Sequence, residues 1–318
     1  MSGIIEGTWI WHDGEFVPWH DAKTHVLSLA VQFGSSVFEG VRCYDTPRGP
    51  AIFRWHEHVR RLFDSAKIYR MQIPYTPDEL TMVVAELIER NELHACYVRP
   101  MVMRGYGAAG MLPVNCPTET WIACWPWGTY LGEGALEHGV DVCVSSWNRP
   151  APNTYPSLAK SAGHYNNAQL IKMEAIANGF IEAIALGPDG LVSEGSGQNL
   201  FLVRDGTLYT PGVDGTLLQG ITRASILQIA MDLGVRVEQV AIPREALYTA
   251  DELFFTGTAA EVTPIRSVDH IEVGTGRAGE ITMKVQRRFM DIVHGRVEDD
   301  HGWLTHVRAV RTRPRLAS

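Results

Sequence analysis

Apolar residues fall in short runs through the first 130 or so positions, and turn-forming residues punctuate them. WIWH and EFVPW flank Asp13-Gly14, which predicts a hairpin. SVFEGVRCY and AIFRW, separated by DTPRG, predict a second strand pair. Two amphipathic stretches follow, HEHVRRLFDSAKIY and PDELTMVVAELIERN, and their spacing predicts helices. The second opens with Pro77 and two acids, which suit a helix N-terminus. CYVRPMVMR and TWIACWPW predict strands again. Strands and helices do not alternate strictly, so residues 1–131 read as a small α+β domain.

LGEGALEHG, with three glycines and few apolar residues, predicts a linker over 132–138. Beyond it DVCVSSW predicts a strand and GHYNNAQLIKMEAIANG a helix closed by Gly179. EAIAL, LVSEG, NLFLV and TLYTP predict short strands, with PDG and RDG as turns. GITRASILQIAMDLG reads as a helix, RVEQVAI as a strand, ELFFTGTAAEVTPI as strand–loop–strand and ITMKVQRRFMDIVHG as a last helix. Residues 139–307 therefore form a larger domain. The stretch 308–318, basic and without acids, reads as a disordered tail.

Length supports two domains at roughly 150 residues each. An apolar fraction of 45% and a net charge of −8 give an ordinary globular chain with no general pull toward nucleic acid or anionic membrane. The N-terminus has no basic segment followed by an apolar core, and no apolar run approaches the ~20 residues that span a bilayer. Five scattered cysteines without a C-x-x-C point to reduced thiols and a cytoplasmic location, not a zinc site.

Two literal motifs fail on context. Gly105–Gly110 matches G-x-G-x-x-G, the one feature favouring an NAD-linked oxidoreductase. MLPVNCPT follows it, and two prolines exclude the helix that a dinucleotide fold needs. HEH at 56–58 lacks the i, i+4 spacing of a helical metal site. No metal is expected.

The chain has only five lysines: Lys23, Lys67, Lys160, Lys172 and Lys284. Lys67, Lys172 and Lys284 lie in helical stretches, where solvated faces and snorkelling are expected. Lys160 alone sits among Ala159, Ser161, Ala162 and Gly163, before a helix. Two readings stand: a snorkelling loop lysine, or an amine whose small neighbours leave room for a bonded group. Gly220-Ile221-Thr222 opens a helix with backbone N–H groups and a hydroxyl, as a phosphate needs. Glu194, flanked by glycines, reads as a turn residue or as a carboxylate for a pyridinium nitrogen.

Taken in order, FGSSVFEGVRCY (33–44), HVRRLFDSAKIYR (58–70), CYVRP (96–100), PWGTYLG (126–132), SSWNRPAPNTYPSLAKSAGHY (145–165), SEGSGQNLF (193–201), GITR (220–223) and GTAAEVTP (257–264) resemble the fold-type IV pyridoxal-phosphate enzymes. Within that class IV aminotransferase family the chain resembles the branched-chain amino-acid aminotransferases, from about residue 8 to about 307. The resemblance implies a D-amino-acid aminotransferase-like architecture: two α+β domains, with mixed and antiparallel sheets and flanking helices. It implies pyridoxal 5′-phosphate as cofactor, and transfer of the amino group of Leu, Ile or Val to 2-oxoglutarate. D-amino-acid aminotransferases, (R)-amine transaminases and aminodeoxychorismate lyases share the fold type. VFEGVR and the GTAA turn favour the branched-chain member.

On matching positions, Lys160 resembles the lysine that bonds the cofactor and shuttles the proton. Arg61, Gly220, Ile221, Thr222 and Thr258 would bind the phosphate, Tyr165 the phenolic oxygen and Glu194 the ring nitrogen. Leu218 would pack on the ring. Phe38, Gly40 and Trp127 would wall the substrate site. Tyr97 and the Thr258–Ala259 backbone would hold the α-carboxylate, and Arg99 and Tyr130 the side-chain carboxylate of glutamate. Phe33 stands where the family commonly has Tyr, so weaker 2-oxoglutarate binding is expected. The 105–110 loop resembles the family's pocket-covering segment. A homodimer, or a larger assembly of dimers, is also implied.

Overall fold

The computed structural model describes residues 4–113, 115–128, 130–213 and 215–308. Two strands, β1 (Trp9–His12) and β2 (Glu15–Pro18), are followed by α1 (Leu29–Phe33), β3 (Ser36–Phe38), β4 (Val41–Tyr44) and β5 (Ala51–Phe53). Then come α2 (Trp55–Ile68), α3 (Pro77–Arg90), β6 (Cys96–Arg104), β7 (Thr118–Trp125), α4 (Ala135–His138) and β8 (Val140–Val144). α5 (His164–Ala177), β9 (Glu182–Leu186), β10 (Val192–Gly195), β11 (Asn199–Arg204), β12 (Thr207–Pro211), α6 (Ile221–Asp232) and β13 (Val237–Val240) form the middle of the second half. α7 (Ala246–Thr249), β14 (Glu252–Gly257), β15 (Glu261–Val268), β16 (Ile271–Glu272), α8 (Glu280–Val293) and β17 (Leu304–His306) complete the chain.

The elements gather into two compact units. The first takes the residues up to Gly128, Ala159–Gly163 and the residues from Asp291 on; the second takes the rest. Both return segments lie in what the sequence reads as the larger domain. Their partners explain the difference. β17 pairs antiparallel with β5, and Ser161 bridges Val37 of β3. Pairings over such separations leave no local trace in a sequence. The predicted tail, Arg308 apart, lies outside the described residues.

The first unit is built on an antiparallel sheet ordered β17-β5-β4-β6-β7-β1-β2, with β3 also on β6. Its β1–β2 turn has Asp13 at φ 41° and Gly14 at φ 100°, as a two-residue hairpin with positive φ at both positions requires. The segment expected as one strand, SVFEGVRCY, is interrupted at Glu39-Gly40. Phe38 pairs with Met101 and Val41 with Val98, so Glu39 faces Pro100 in unbroken register. Glu39 N donates to Pro100 O at 2.9 Å, but proline has no N–H to return the bond. α2 and α3 bury Trp55, Val59 and Leu62, and Leu80, Val84 and Ile88, in one core with Val41, Val98 and Ile122. A Thr76/Glu79 capping box starts α3, at Pro77.

The second unit is a mixed sheet ordered β10-β9-β8-β15-β14-β11-β12-β13. β8 runs parallel to β9 and β12 parallel to β13, and α5 and α6 lie in the respective connections. The α+β architecture with antiparallel and mixed sheets is therefore present. Leu200, Leu253, Phe255 and Ile265 anchor this unit's core. The five cysteines are all free and buried.

Candidate active site

In the first unit, α2 carries three polar side chains on one face: His58, Arg61 and Ser65, at helical positions i, i+3 and i+7. Ser65 Oγ accepts from Lys160 N at 3.0 Å, and Lys160 O accepts from Phe38 N at 3.0 Å. Ala162 N donates to Ser36 O. Segment 159–163 thus lies along β3, and both backbone polar groups of Lys160 are fixed. Its Nζ stands 5.2 Å from the Phe38 ring centroid. Ala159 and Ser161 are 1% and 2% exposed, and a Cβ on Gly34 would lie 3.3 Å from Gly163 Cα. The small residues therefore serve this close approach to β3.

Glu39, at the interruption between β3 and β4, is fully buried. Its carboxylate takes the Arg61 fork at 2.6 and 2.8 Å and His58 Nδ1 at 2.6 Å. Burial alone would raise the Glu39 pKa, but the charges and hydrogen bonds of Arg61 and His58 hold it well below the usual carboxylate range. Burial pushes His58 down, against Glu39 and with help from Arg61 and Lys160.

Phe38, Gly40, Tyr97, Arg99 and Trp127 also meet in this unit. Tyr97 and Arg99 share a face of β6, and a Cβ on Gly40 would overlap the Tyr97 hydroxyl. The Tyr97 and Trp127 rings are 4.8 Å apart. Arg99 Cζ lies 4.6 Å from the Phe38 ring centroid and 5.3 Å from that of Tyr97. Arg99 Nε is buried without a hydrogen-bond partner among the described residues, which marks a cation in an aromatic surround suited to an anion.

In the second unit, β10 presents Glu194, 4% exposed. Its Oε1 lies 2.9 Å from Arg149 Nη2, while Oε2 accepts from Asn199 Nδ2 at 3.1 Å and Leu218 N at 3.2 Å. Asn199 also donates to Leu218 O, and a Cβ on Gly220 would overlap Asn199 Oδ1. Gly220 thus starts α6 pressed against the residue that holds Glu194. Gly220 at the N-cap of α6 has no side chain to cap the first turn, where Ile221 and Thr222 lie. Thr258 and Ala259 form the half-buried turn between β14 and β15. Tyr165 is the second residue of α5. Tyr130 lies with its ring centroid 5.9 Å from Lys172 Nζ.

Lys172, expected to be solvated or snorkelling, ends on a buried acid. Its Nζ is 3.0 Å from Glu182 Oε2, a carboxylate with no exposure, because α5 packs on β9. Glu39, His58, Arg149 and Asn199 were not singled out from the sequence as parts of a site. Glu39 left a signal, as a lone acid in an apolar strand; Arg149, in an irregular segment, left none. Among the described residues no group of His, Cys, Asp and Glu could hold a metal ion.

The sequence profile of the family described as Amino-transferase class IV matches residues 36–268, and the chain belongs to that family. Among its relatives, the branched-chain-amino-acid aminotransferase of Escherichia coli (strain K12) is 49% identical over 300 residues, 94% of this chain and 97% of that protein. A solved structure of the Escherichia coli branched-chain amino acid aminotransferase superposes with a TM-score of 0.93 at 48% identity, covering 95% of this chain and 100% of that one. A second solved branched-chain amino acid aminotransferase, from T.th. and complexed with N-(5′-phosphopyridoxyl)-L-glutamate, gives a TM-score of 0.91 at 46% identity, over 95% and 99% of the two chains.

Proposed function

We propose that the chain transfers the amino group of branched-chain L-amino acids (Leu, Ile, Val) to 2-oxoglutarate, giving 2-oxo acids and L-glutamate, with pyridoxal 5′-phosphate as cofactor. The observation that carries this reading is the backbone clamp on Lys160, which fixes one amine beside Phe38. The donor set fits the cofactor. A helix start with glycine at its N-cap and an arginine suit a phosphate, a buried carboxylate suits a protonated ring nitrogen, and a fixed lysine suits a carbonyl.

In this reading Arg61, Gly220, Ile221, Thr222 and Thr258 hold the phosphate, Tyr165 the phenolic oxygen and Glu194 the ring nitrogen, with Leu218 on the ring. Bound there, the cofactor supplies an electron sink for charge developing at the substrate Cα. Lys160 Nζ takes the proton from that Cα and, in the second half-reaction, returns one to the Cα of the incoming acid. Arg149 and Asn199 orient Glu194. Tyr97 with the Thr258–Ala259 backbone holds the α-carboxylate. Arg99 and Tyr130 take the side-chain carboxylate of glutamate, while Phe38, Gly40 and Trp127 shape the apolar wall that excludes water.

Five free, buried thiols support a cytoplasmic location, and the family resemblance supports a homodimer. No helix among the described residues is long and apolar enough to cross a membrane. The test is a substrate panel on purified protein. L-leucine with 2-oxoglutarate should turn over, and D-leucine and an aromatic amine should not. A colourless protein that gains no visible band with added pyridoxal 5′-phosphate would overturn the reading.

A further inference from the structure

Arg61 is gripped along one edge by a carboxylate from a separate element. Both Glu39 oxygens are committed to the guanidinium, and Oε2 also takes His58 Nδ1–H. Two parallel bonds fix the plane of a guanidinium as well as its place, which a single contact cannot do. Glu39 itself cannot drift. It is fully buried, and its N–H is tied to Pro100 O. The same face of α2 carries Ser65, which holds Lys160 N. A buried acid is costly unless its partners repay it, and here the repayment goes to orienting one cation.

We propose that Glu39 is a positioning residue for a phosphate-bearing cofactor: with His58 behind it, Glu39 sets the orientation in which Arg61 meets the anion. This rests on the reading that Arg61 binds the phosphate of pyridoxal 5′-phosphate. Loss of a merely structural ion pair would lower stability without distinguishing ligands with and without a phosphate. A positioning role discriminates between them.

The experiment measures dissociation constants of pyridoxal 5′-phosphate and of pyridoxal, by visible absorbance, for wild type, Glu39→Gln, Arg61→Gln and the double variant. Glu39→Gln should weaken the phosphate ester about tenfold or more, the scale of one lost charge-assisted bond, and pyridoxal less than about threefold. The double variant should bind the phosphate ester no more weakly than Arg61→Gln alone, because Glu39 acts through Arg61. If Arg61→Gln leaves affinity for the phosphate ester unchanged, the underlying phosphate assignment falls. If Arg61→Gln weakens binding while Glu39→Gln does not, or Glu39→Gln weakens both ligands equally, the positioning role falls. Should Glu39→Gln fail to fold, His58→Phe carries the same comparison, because it removes one bond to Oε2 and leaves Glu39 and Arg61 in place. It should weaken the phosphate ester severalfold and spare pyridoxal; equal effects on the two ligands, or none, overturn the proposal.

Discussion

Arg149 reaches Glu194 across 2.9 Å, at side-chain exposures of 10% and 6%. The guanidinium approaches Oε1 while Asn199 and the Leu218 N–H serve Oε2, so the carboxylate is held from two sides. Replacing Arg149 by Met leaves a buried carboxylate without its cation. Breaking such a pair costs about 3–5 kcal/mol. Urea unfolding of Arg149→Met should show a loss on that scale, and a loss under about 1 kcal/mol would mean that the pair contributes no more than a surface one.

Lys160 is fixed through its backbone, so its side chain can be removed without disturbing the bonds that seat the segment. Lys160→Ala should keep its fold and still bind pyridoxal 5′-phosphate. It should lose the covalent link that borohydride makes permanent, and turnover should fall by about a thousandfold or more for want of the base. Near-wild-type turnover would remove Lys160 from the chemistry.

Stability should decline in acid, where buried groups with lowered pKa values must take up protons, among them His164 and Glu39. Burial, helped by the Arg149 charge, pushes the His164 pKa down to about 4. The unfolded chain takes up that proton near 6.5, so this contribution is complete above about pH 6.5 and is lost as pH falls to about 4. Glu39 acts lower on the scale. Its folded pKa lies below the unfolded value of about 4.3, so its contribution is present above that pH and is lost below it. Unfolding free energies at pH 7 and pH 5.5 separate the two. His164→Asn should narrow the difference between them, and an unchanged difference would contradict the assignment.

Phe33 ends α1 and is exposed in the chain. It cannot hydrogen-bond a carboxylate. A tyrosine there should lower KM for 2-oxoglutarate about tenfold, the value of one hydrogen bond to a charged group, and leave KM for L-leucine within about twofold. Steady-state kinetics with both substrates decide this. An unchanged KM for 2-oxoglutarate would show that position 33 does not meet the acid.

Much of the fold was legible because local patterns and long-range packing agree. The Asp13-Gly14 hairpin, the Pro77 helix start and the Gly220 helix start all occur where punctuation residues predict them. SVFEGVRCY misled because alternation reports which face is buried and says nothing of what the partner strand can donate. Pro100 lies some sixty residues away, and it is Pro100 that breaks the ladder at Glu39. The partner of Lys172 is hidden for a related reason: a helical lysine gives no sign that the opposing strand carries Glu182.

By itself the sequence determined the α+β class, the catalytic lysine candidate and the family, since ordered motifs and a scarcity of lysine are properties of the chain. Tertiary structure alone decided what holds those residues. Segment 159–163 crosses into the first unit to lie on β3, Glu39 closes on Arg61 and His58, and Arg149 closes on Glu194. Each of these is a hydrogen bond or ion pair between residues distant in sequence. Their cost of burial is met only by a partner that folding brings near, and no local pattern records that partner.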